Sequence, residues 1–373
     1  YLKNYNDIQF IKIASSTIGG TGGHIFPAYN LAKHLKINNQ ANVEIISDGR
    51  GLKYLKNYND IQFIKIASST IYTKNILKLF FSILIISYSI LKSLIILFNK
   101  KPTLVFGMGG YSSFPVCLAA TILKIPFILY ENNLHIGKAN KYLLPYAKKI
   151  FVSNRELEGI SDKYLKKVCE VGNIINKEII NFQNKQDTDH EGKKLKILIL
   201  GGSQAAKTFG EQLTKIFKEC NEAKISFKIY QQCLPEQNKF LSSYYKNSNI
   251  DHEIFNFSNN ILEYFSKINL AITRSGSSML AELLNAKIPF ISVPLPSSAD
   301  DHQLKNAIYY EKKGYSYLIE EKDLNKKLFQ LIKKINEDDS LLKKIVVKQK
   351  EYSDKFVYEN IDKKISKIIN EGY

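Results

Sequence analysis

Residues 19–35 read GGTGGHIFPAYNLAKHL, and the fold prediction starts from them. Glycines, a threonine and a histidine run directly into a segment with the apolar periodicity of a helix. Glycine lets the backbone approach a ligand closely, and the amides at a helix start favour negative charge. The G-x-G-x-x-G pattern of dinucleotide-binding turns is not met, because its third position is Ile25. The stretch therefore predicts a ligand-facing turn of another kind.

Short apolar runs alternate with longer amphipathic segments on both sides of this turn. Residues 43–47, 103–108 and 126–131 are typical of buried strands, and a second such series begins at 196. This alternation predicts an α/β fold with parallel sheets covered by helices. With 373 residues, two domains are expected. The predicted parts are domain 1–175, the polar linker 176–194, domain 195–350 and a C-terminal helix, 351–373.

The charge is strongly positive and is carried mainly by lysine. The formal net charge is +18, and the arginines are Arg50, Arg155 and Arg274. A lysine excess favours anionic lipid or polyphosphate as a partner, and no arginine-and-aromatic cluster points to nucleic acid. The scattered cysteines indicate reduced thiols in a cytosolic compartment. No D-x-D or His/Asp cluster stands out as a candidate for binding a catalytic metal, so we expect no cofactor.

Residues 1–18 are identical to residues 54–71. A structural repeat needs a shared pattern rather than identity, so the repetition does not indicate a solenoid. The second copy lies in a plausible turn and strand. The first puts IQFIKIASST, with Ser15, Ser16 and Thr17 just before the glycines, where a continuously apolar core strand is expected. We interpret residues 1–18 as a recent duplication or an artefact with low functional content.

Residues 76–98 are apolar on nearly every side. The segment is long enough to span a bilayer, but Lys78 and Lys92 interrupt it and it lies between two predicted strands. This position favours a crossover helix whose outer side rests on the cytoplasmic bilayer surface, helped by the nearby lysines. A transmembrane span and a helix buried between domains are the alternatives.

Polar residues follow several predicted strands of the first half. The segments GMGGYSSFP (107–115) and YENNLHIGKAN (130–140) each follow a strand directly, as the glycine turn does. Parallel strands end at one edge of a sheet, where ligands bind, so these residues are expected to share a rim. A lone histidine at a helix start is more often structural than catalytic. The other polar residues expected at the same rim favour a catalytic role for His24. The residues expected at the rim are His24, Tyr111, Glu131, Asn133 and Asn140.

The second half offers a comparable set. LGGSQ (200–204) and TRSGSSMLAELL (273–284) each end a strand and open a helix, so their serines and amides are suited to a phosphate. Glu282 lies in the second of these helices, where a carboxylate can accept two neighbouring hydroxyls; a solvated helix face is the alternative. Arg274 is an arginine in a chain whose positive charge is carried mainly by lysine. Its presence indicates that the planar set of guanidinium donors is required at this position. Gln303 and Asn306 share a helical face as amide partners for sugar hydroxyls.

Taken together, these motifs resemble one family. GGTGGH, RGL (50–52), GMGGY, E-x-N, VGN (171–173), GGSQ, RSG…E and D-x-x-Q-x-x-N occur in the order of the MurG glycosyltransferases, over about residues 19–320. These bacterial enzymes add N-acetylglucosamine to lipid I in peptidoglycan synthesis, on which cell wall biogenesis, cell shape and cell division depend. The resemblance implies a GT-B fold, two Rossmann-like domains facing across a cleft. It also implies a peripheral protein at the cytoplasmic face of the inner membrane.

The resemblance implies that UDP-N-acetylglucosamine (UDP-GlcNAc) is the donor, bound mainly by the second domain. Glu282 would bind the ribose hydroxyls, and Gln303 and Asn306 would contact the sugar. The diphosphate would be held at two helix starts by Ser203, Arg274, Ser277 and Ser278. The residues implied to complete the donor site are Ser258, near the uracil, and Thr21, Gly22, Gly23 and Asn133 of the first domain.

For the acceptor, the resemblance implies that His24 is the base for the 4-hydroxyl of the muramoyl sugar. Glu131 and Tyr111 would support it or compete with it. The other residues implied on the acceptor side are Gly109, Gly110 and Asn140. No metal is implied, because fixed dipoles and charge can stabilise the departing diphosphate.

The chain departs from the family pattern at several positions. The usual H-E-Q-N reads Tyr130-Glu131-Asn132-Asn133, and the positions that carry the other departures are Asn176, Ala205, Gly210 and His302. They leave open a decayed, non-catalytic nucleotide-sugar binder. A transferase that acts on a diacylglycerol lipid and a UDP-sugar epimerase of the same fold are further alternatives.

Overall fold

The computed structural model describes residues 10–14, 23–69, 75–183, 194–256, 258 and 260–370, with the backbone alone for 10–14, 202–207 and 370. Among these, the residues up to Asn176 and those from Asp354 onward form one compact unit, and Lys177–Ser353 form a second. The C-terminal helix therefore belongs with the first unit.

The first unit contains one parallel sheet with the described strand order β3-β2-β1-β4-β5-β6-β7. Its strands are β1 (Phe10–Ala14), β2 (Asn42–Ser47), β3 (Gln62–Lys65), β4 (Leu104–Gly107), β5 (Phe127–Glu131), β6 (Lys149–Val152) and β7 (Val168–Glu170). Its helices are α1 (Ile25–Asn38), α2 (Gly49–Tyr54), α3 (Ile76–Lys100), α4 (Ser113–Ile122), α5 (Lys138–Leu143) and, from the end of the chain, α14 (Val357–Asn370).

The second unit contains a parallel sheet with the described order β10-β9-β8-β11-β12-β13. Its strands are β8 (Leu195–Leu200), β9 (Phe227–Gln232), β10 (Asp251–Phe255), β11 (Leu270–Thr273), β12 (Phe290–Ser292) and β13 (Tyr317–Leu318). Its helices are α6 (Lys177–Ile180), α7 (Gly202–Glu222), α8 (Asn238–Asn247), α9 (Leu262–Phe265), α10 (Ser277–Asn285), α11 (His302–Lys312), α12 (Leu324–Glu337) and α13 (Ser340–Lys350). In each unit the strand order reverses direction beside the first strand, as in doubly wound nucleotide-binding folds.

Identical sequence forms two strands of the first sheet. β1 comes from the first copy of the repeat and lies between β2 and β4, whereas β3 comes from the second copy and lies at the edge. Ile45 of β2 pairs with Ile13 on one side and with Phe63, the counterpart of Phe10, on the other. The two copies are thus shifted in register by three residues. The first copy supplies the central strand Phe10–Ala14, and Ser15, Ser16 and Thr17, which had argued against a core strand, lie outside the described residues.

In each unit, buried apolar side chains of the strands pack against the covering helices and hold the two in a fixed arrangement. In the first unit Val105, Leu129 and Val152 pack with Val116 and Ala120 of α4. In the second unit the core joins the β8, β9 and β11 side chains to α7 and α12, and its members include Ile197, Ile199, Ile229, Ile272, Phe217 and Leu328. The carboxyl ends of the strands therefore lead into loops held on a packed base.

Candidate active site

His24 lies at the N-cap of α1 and is buried. It lies directly against Gly109: a Cβ built on Gly109 would approach the imidazole Cε1 and Nδ1 atoms to 2.9 Å. Gly109 and Gly110 also have φ angles of +85° and +81°. Only glycine satisfies both demands without strain, so the GMGGY loop shapes the seat of the imidazole. The structure thus brings His24 together with Gly109, one of the two glycines implied on the acceptor side.

Tyr111 leads from this loop to a polar cluster that the sequence analysis did not assign. The Arg50 guanidinium lies over the Tyr111 ring, 5.7 Å from its centroid. Asp48 accepts from Arg50 Nε at 3.0 Å and Nη2 at 2.7 Å, and Ser68 Oγ also donates to it. Burial opposes ionisation of Asp48, but the hydrogen bonds from Ser68, Gly51 and Arg50 outweigh it and lower its pKa.

Glu131 ends β5, and its buried carboxylate is fully engaged. Oε1 accepts from the Asn133 amide N–H at 3.2 Å and from Asn133 Nδ2 at 2.9 Å. Oε2 accepts from the Gly137 amide at 2.9 Å and from Asn140 Nδ2 at 3.0 Å. The carboxylate therefore holds together the loop of residues 131–140, and both of its oxygens already accept from protein donors.

Two departures from the family pattern have structural partners. Asn132 Nδ2 donates to the Gly23 carbonyl at 2.9 Å, which ties the β5 loop to the glycine turn. Tyr130 is fully buried; its hydroxyl donates to the Gly172 carbonyl at 3.3 Å and accepts from the Ile174 amide at 3.0 Å. Asn132 thus stabilises the turn that leads into His24, and Tyr130 joins β5 to the segment that follows β7.

The VGN segment contacts the end of the chain. Asp354 accepts from the Asn173 amide at 2.8 Å and from Asn173 Nδ2 at 3.1 Å. Gly172 has φ +102°, and a Cβ there would come within 2.6 Å of Asp354 Oδ1. VGN thus anchors the chain just before α14, and Asn176, one of the departures named in the sequence analysis, is half-buried at the end of this segment.

In the second unit, α10 carries three predicted donor-binding residues. Ser277 is the first helical residue and Ser278 the second, after the N-cap Gly276. Glu282 is half-buried, and among the described residues no side chain or amide donates to its carboxylate. Desolvation by the surrounding protein raises the pKa of Glu282 from 4.5 to about 7. An acceptor that is desolvated and has no protein donor is suited to ligand hydroxyls.

Arg274 is held within the second unit. Its Nη2 pairs with Glu321, its Nη1 donates to the Val293 and Pro294 carbonyls at 3.3 Å each, and its guanidinium lies over the Phe209 ring. Burial lowers its pKa, and the Glu321 carboxylate acts in the opposite direction. The sequence did not predict the Glu321 partner.

Gln303 and Asn306 of α11 are buried as neighbours of this network. Gln303 Oε1 accepts from the Leu295 amide at 3.0 Å, and Asn306 Nδ2 donates to the Ser275 carbonyl at 3.1 Å. His302 Nδ1 lies 2.7 Å from the Ala299 carbonyl. These contacts link α11 to the loops that follow β11 and β12, the same edge that carries α10.

The remaining predicted residues are less informative. Ser258 is half-buried, and its Oγ accepts from the Asn260 amide at 3.1 Å. Ser203 lies in the first turn of α7, with its side chain outside the described set, and so does Ala205; Gly210 lies further along this helix. Thr21 and Gly22 lie outside the described residues. Within the described ranges, no group of three His, Cys, Asp or Glu side chains is arranged to hold a metal.

α3 buries small polar side chains and exposes large apolar ones, which is the opposite of an ordinary core helix. Its buried residues are Ser82, Ser89, Ser93 and Leu97, and most of its apolar length is exposed. Ser69 Oγ donates to Ser82 Oγ at 2.8 Å, and Ser89 Oγ donates to the Ala67 carbonyl at 2.7 Å. The large apolar side chains are exposed instead, among them Leu77, Phe80, Phe81, Tyr88 and Leu91. The helix joins β3 to β4 of one sheet, which agrees with the predicted crossover and not with a helix buried in the protein.

The comparisons with known proteins agree with this architecture. Residues 16–152 match the glycosyltransferase family 28 N-terminal domain, and residues 196–364 match the family 28 C-terminal domain. The crystal structure of Acinetobacter baumannii MurG has a TM-score of 0.74 at 24% identity, over 96% of this chain and 99% of that one. The likeness confirms the predicted two-domain α/β fold of GT-B glycosyltransferases.

Curated relatives match at higher identity. A protein of Pelagibacter ubique (strain HTCC1062), named UDP-N-acetylglucosamine--N-acetylmuramyl-(pentapeptide) pyrophosphoryl-undecaprenol N-acetylglucosamine transferase, is 35% identical over 364 residues, 97% of this chain and 99% of its own. A protein of the same name from Francisella tularensis subsp. tularensis (strain SCHU S4 / Schu 4) is 34% identical, over 95% of this chain and 97% of its own. The similarity extends over nearly the whole of each chain.

Proposed function

Because the chain belongs to the MurG family of glycosyltransferases, we propose that it transfers N-acetylglucosamine from UDP-GlcNAc to the 4-hydroxyl of the muramoyl sugar of lipid I. The anomeric configuration inverts in a single displacement, and the product is lipid II for peptidoglycan synthesis. The observation that carries the donor half of this proposal is the desolvated Glu282 carboxylate, which has no donor among the described residues.

On the donor side, Glu282 accepts hydrogen bonds from the two ribose hydroxyls. The amide-rich starts of α7 and α10, with Ser203, Ser277 and Ser278, stabilise the charge that develops on the departing diphosphate. Arg274 adds positive charge near this group while Glu321 holds it in place. The residues proposed to complete donor binding are Gln303 and Asn306 at the sugar, Ser258 at the uracil, and Thr21, Gly22, Gly23 and Asn133 of the first unit.

On the acceptor side, His24 removes the proton from the attacking 4-hydroxyl. An imidazole is the side chain best matched to proton transfer near neutral pH. The four N–H donors on Glu131 favour His24 over Glu131 as the base, and give Glu131 and Asn140 the role of shaping the loop. Gly109 and Gly110 set the imidazole position, and Tyr111 contacts the acceptor.

α3 is proposed as the attachment to the cytoplasmic face of the inner membrane. Its exposed apolar side chains would enter the headgroup region, while Lys78, Lys92, Lys100 and Lys101 contact anionic lipid. Because α3 is the crossover between two strands of one sheet, a surface-lying helix fits better than a spanning one. This location gives the enzyme access to a lipid-linked acceptor.

The test is release of UDP by the purified full-length protein, given UDP-GlcNAc and a lipid I analogue. We expect transfer, and we expect His24→Ala to slow it by about 100-fold or more, because a positioned base contributes that much. His252→Ala, on β10 and outside the proposed site, is the matched control and should retain activity.

Other outcomes would contradict this function in distinct ways. Donor binding without transfer indicates a nucleotide-sugar binder. Release of free amino sugar and UDP without an acceptor indicates an epimerase. Transfer to diacylglycerol instead of the muramoyl acceptor indicates a different lipid glycosyltransferase.

A further inference from the structure

Arg50 has no role in the transfer as proposed, yet it is held in a defined orientation. It follows β2, at the same sheet edge as His24 and the GMGGY loop. Asp48 accepts from its Nε and Nη2, and Nη2 also donates to Ser68 Oγ at 2.9 Å. Asp48, Ser68 and the Tyr111 ring fix the plane of the guanidinium. An arginine that serves only as a solvated surface charge does not require such a fixed orientation.

The cluster lies on a continuous path of contacts within the first unit. His24 touches Gly109, the loop continues to Tyr111, and Tyr111 lies under Arg50. Arg50 bonds Ser68, and the next residue, Ser69, bonds Ser82 of α3. Arg50 is therefore connected through these residues both to the proposed base and to the proposed membrane helix.

The guanidinium keeps donor capacity for an outside group. Its side chain is 51% exposed, and no described residue accepts from its Nη1. The other two arginines are engaged differently: Arg274 is buried against Glu321, and Arg155 lies on the surface beside Glu170, with 81% of its side chain exposed. Arg50 is thus the anchored arginine whose free edge can take a ligand, and a half-exposed fork of this kind prefers phosphate oxygens.

We propose that Arg50, aligned by Asp48 and Ser68 and resting on Tyr111, binds the diphosphate that joins the acceptor sugar to its lipid. This inference rests on the proposed function, because that function supplies an acceptor with a sugar at one end, a lipid at the other and a diphosphate between them. With the sugar at His24 and the lipid at α3, the diphosphate belongs along the path on which Arg50 lies.

The test measures acceptor binding directly, without turnover. The full-length protein is titrated by calorimetry with a water-soluble muramoyl-peptide diphosphate bearing a short alkyl chain. A second ligand has the same sugar, peptide and chain but no diphosphate. We expect Arg50→Ala to weaken the first ligand by about tenfold or more and to leave the second unchanged, because only the charged hydrogen bonds are lost.

Two further variants separate binding from structure. Arg50→Lys keeps the charge without the fork, so we expect an intermediate loss. Arg155→Ala removes a surface arginine of the same unit and should change neither affinity. UDP-GlcNAc affinity should be the same in all variants, which reports that the protein is folded.

The outcomes distinguish this inference from the function on which it rests. Equal affinity of the wild type and Arg50→Ala for the diphosphate ligand would overturn the role of Arg50 and leave the transfer reaction untouched. An equal loss for both ligands would show that Arg50 acts only through the fold, and would also overturn it. Wild-type protein that binds neither ligand and transfers no sugar would contradict the proposed function itself.

Discussion

Glu131 of the first unit is buried and Glu282 of the second is half-buried, and the two glutamates differ in what surrounds them. Glu131 ends a strand and accepts four hydrogen bonds, from the side chains and amides of its own loop. Glu282 lies on a helix, and no described residue donates to its carboxylate. A buried carboxylate is costly unless its lone pairs are satisfied.

The difference supports our proposal that Glu131 is a structural carboxylate and Glu282 a ligand-binding one. Glu131 has its partners in the folded chain, so its charge is stabilised before any substrate arrives. Desolvation raises the pKa of Glu282 to about 7 in the free protein, and we propose that hydroxyl donors of a bound ligand offset this cost. The comparison yields four predictions.

Removal of the Glu282 carboxylate should have the largest effect on function. Glu282→Ala should weaken UDP-GlcNAc binding by about 100-fold or more, since two hydrogen bonds to a charged group are lost. Calorimetry on the full-length protein measures this change. Glu131→Gln is the matched control, and a loss of donor affinity as large as that of Glu282→Ala would remove the distinction between the two glutamates.

Removal of the Glu131 carboxylate should instead reduce stability. Glu131→Ala leaves four N–H groups without their acceptor and should lower the free energy of unfolding of the first unit by about 3 kcal/mol. Circular dichroism during thermal unfolding measures this, with Glu282→Ala as the comparison. A Glu131→Ala protein that melts with the wild type would show that these hydrogen bonds are replaced by water.

Donor affinity should depend on pH through Glu282. Only the ionised carboxylate accepts both ribose hydroxyls, so UDP-GlcNAc should bind up to about tenfold more tightly at about pH 8 than at about pH 6. UDP-GlcNAc is the right probe because it has no terminal phosphate that titrates near this range. In Glu282→Gln the affinity should vary little, and an equal pH dependence in that variant would assign the titration to another group.

Stability should depend on pH in the opposite direction. The folded-state pKa of Glu282 is raised above its ordinary value of 4.5, so the folded protein binds more protons than the unfolded chain between that value and about 7. The stabilisation is present below the lower value and is lost as the pH rises through the upper one. Glu282→Gln should therefore gain on the order of 2 kcal/mol over the wild type between about pH 5 and about pH 8. The melting temperatures of the two proteins are measured across this pH range. The same pH dependence in both would contradict the prediction.

Much of the fold could be predicted from the sequence because hydrophobic periodicity is local. The runs at 43–47 and 126–131 became β2 and β5, and the segment after the glycine turn became α1. The rim of the first unit followed from one rule, that parallel strands end at the same edge. This rule brought His24, Tyr111 and Glu131 to neighbouring loops before any coordinate was known.

What sequence reasoning missed depends on contacts between distant segments. Arg274 was predicted from its planar fork, but its partner Glu321 is 47 residues away and belongs to another loop. Asp354 bonds Asn173 across 181 residues, which joins the last helix to the first unit. The Arg50 cluster offered a local signal, an aspartate two residues before the arginine, but Ser68 and Tyr111 could be added only from the folded sheet.

The most direct test of the central claim is a carbon-13 NMR titration of the Glu282 carboxyl in the full-length protein, with and without UDP-GlcNAc. The account predicts a pKa near 7 in the free protein and a clear fall when the nucleotide sugar binds, because the ribose hydroxyls then stabilise the charge. An ordinary glutamate pKa in the free protein, or a raised pKa that the ligand leaves unchanged, would contradict the assignment of Glu282 as the donor anchor.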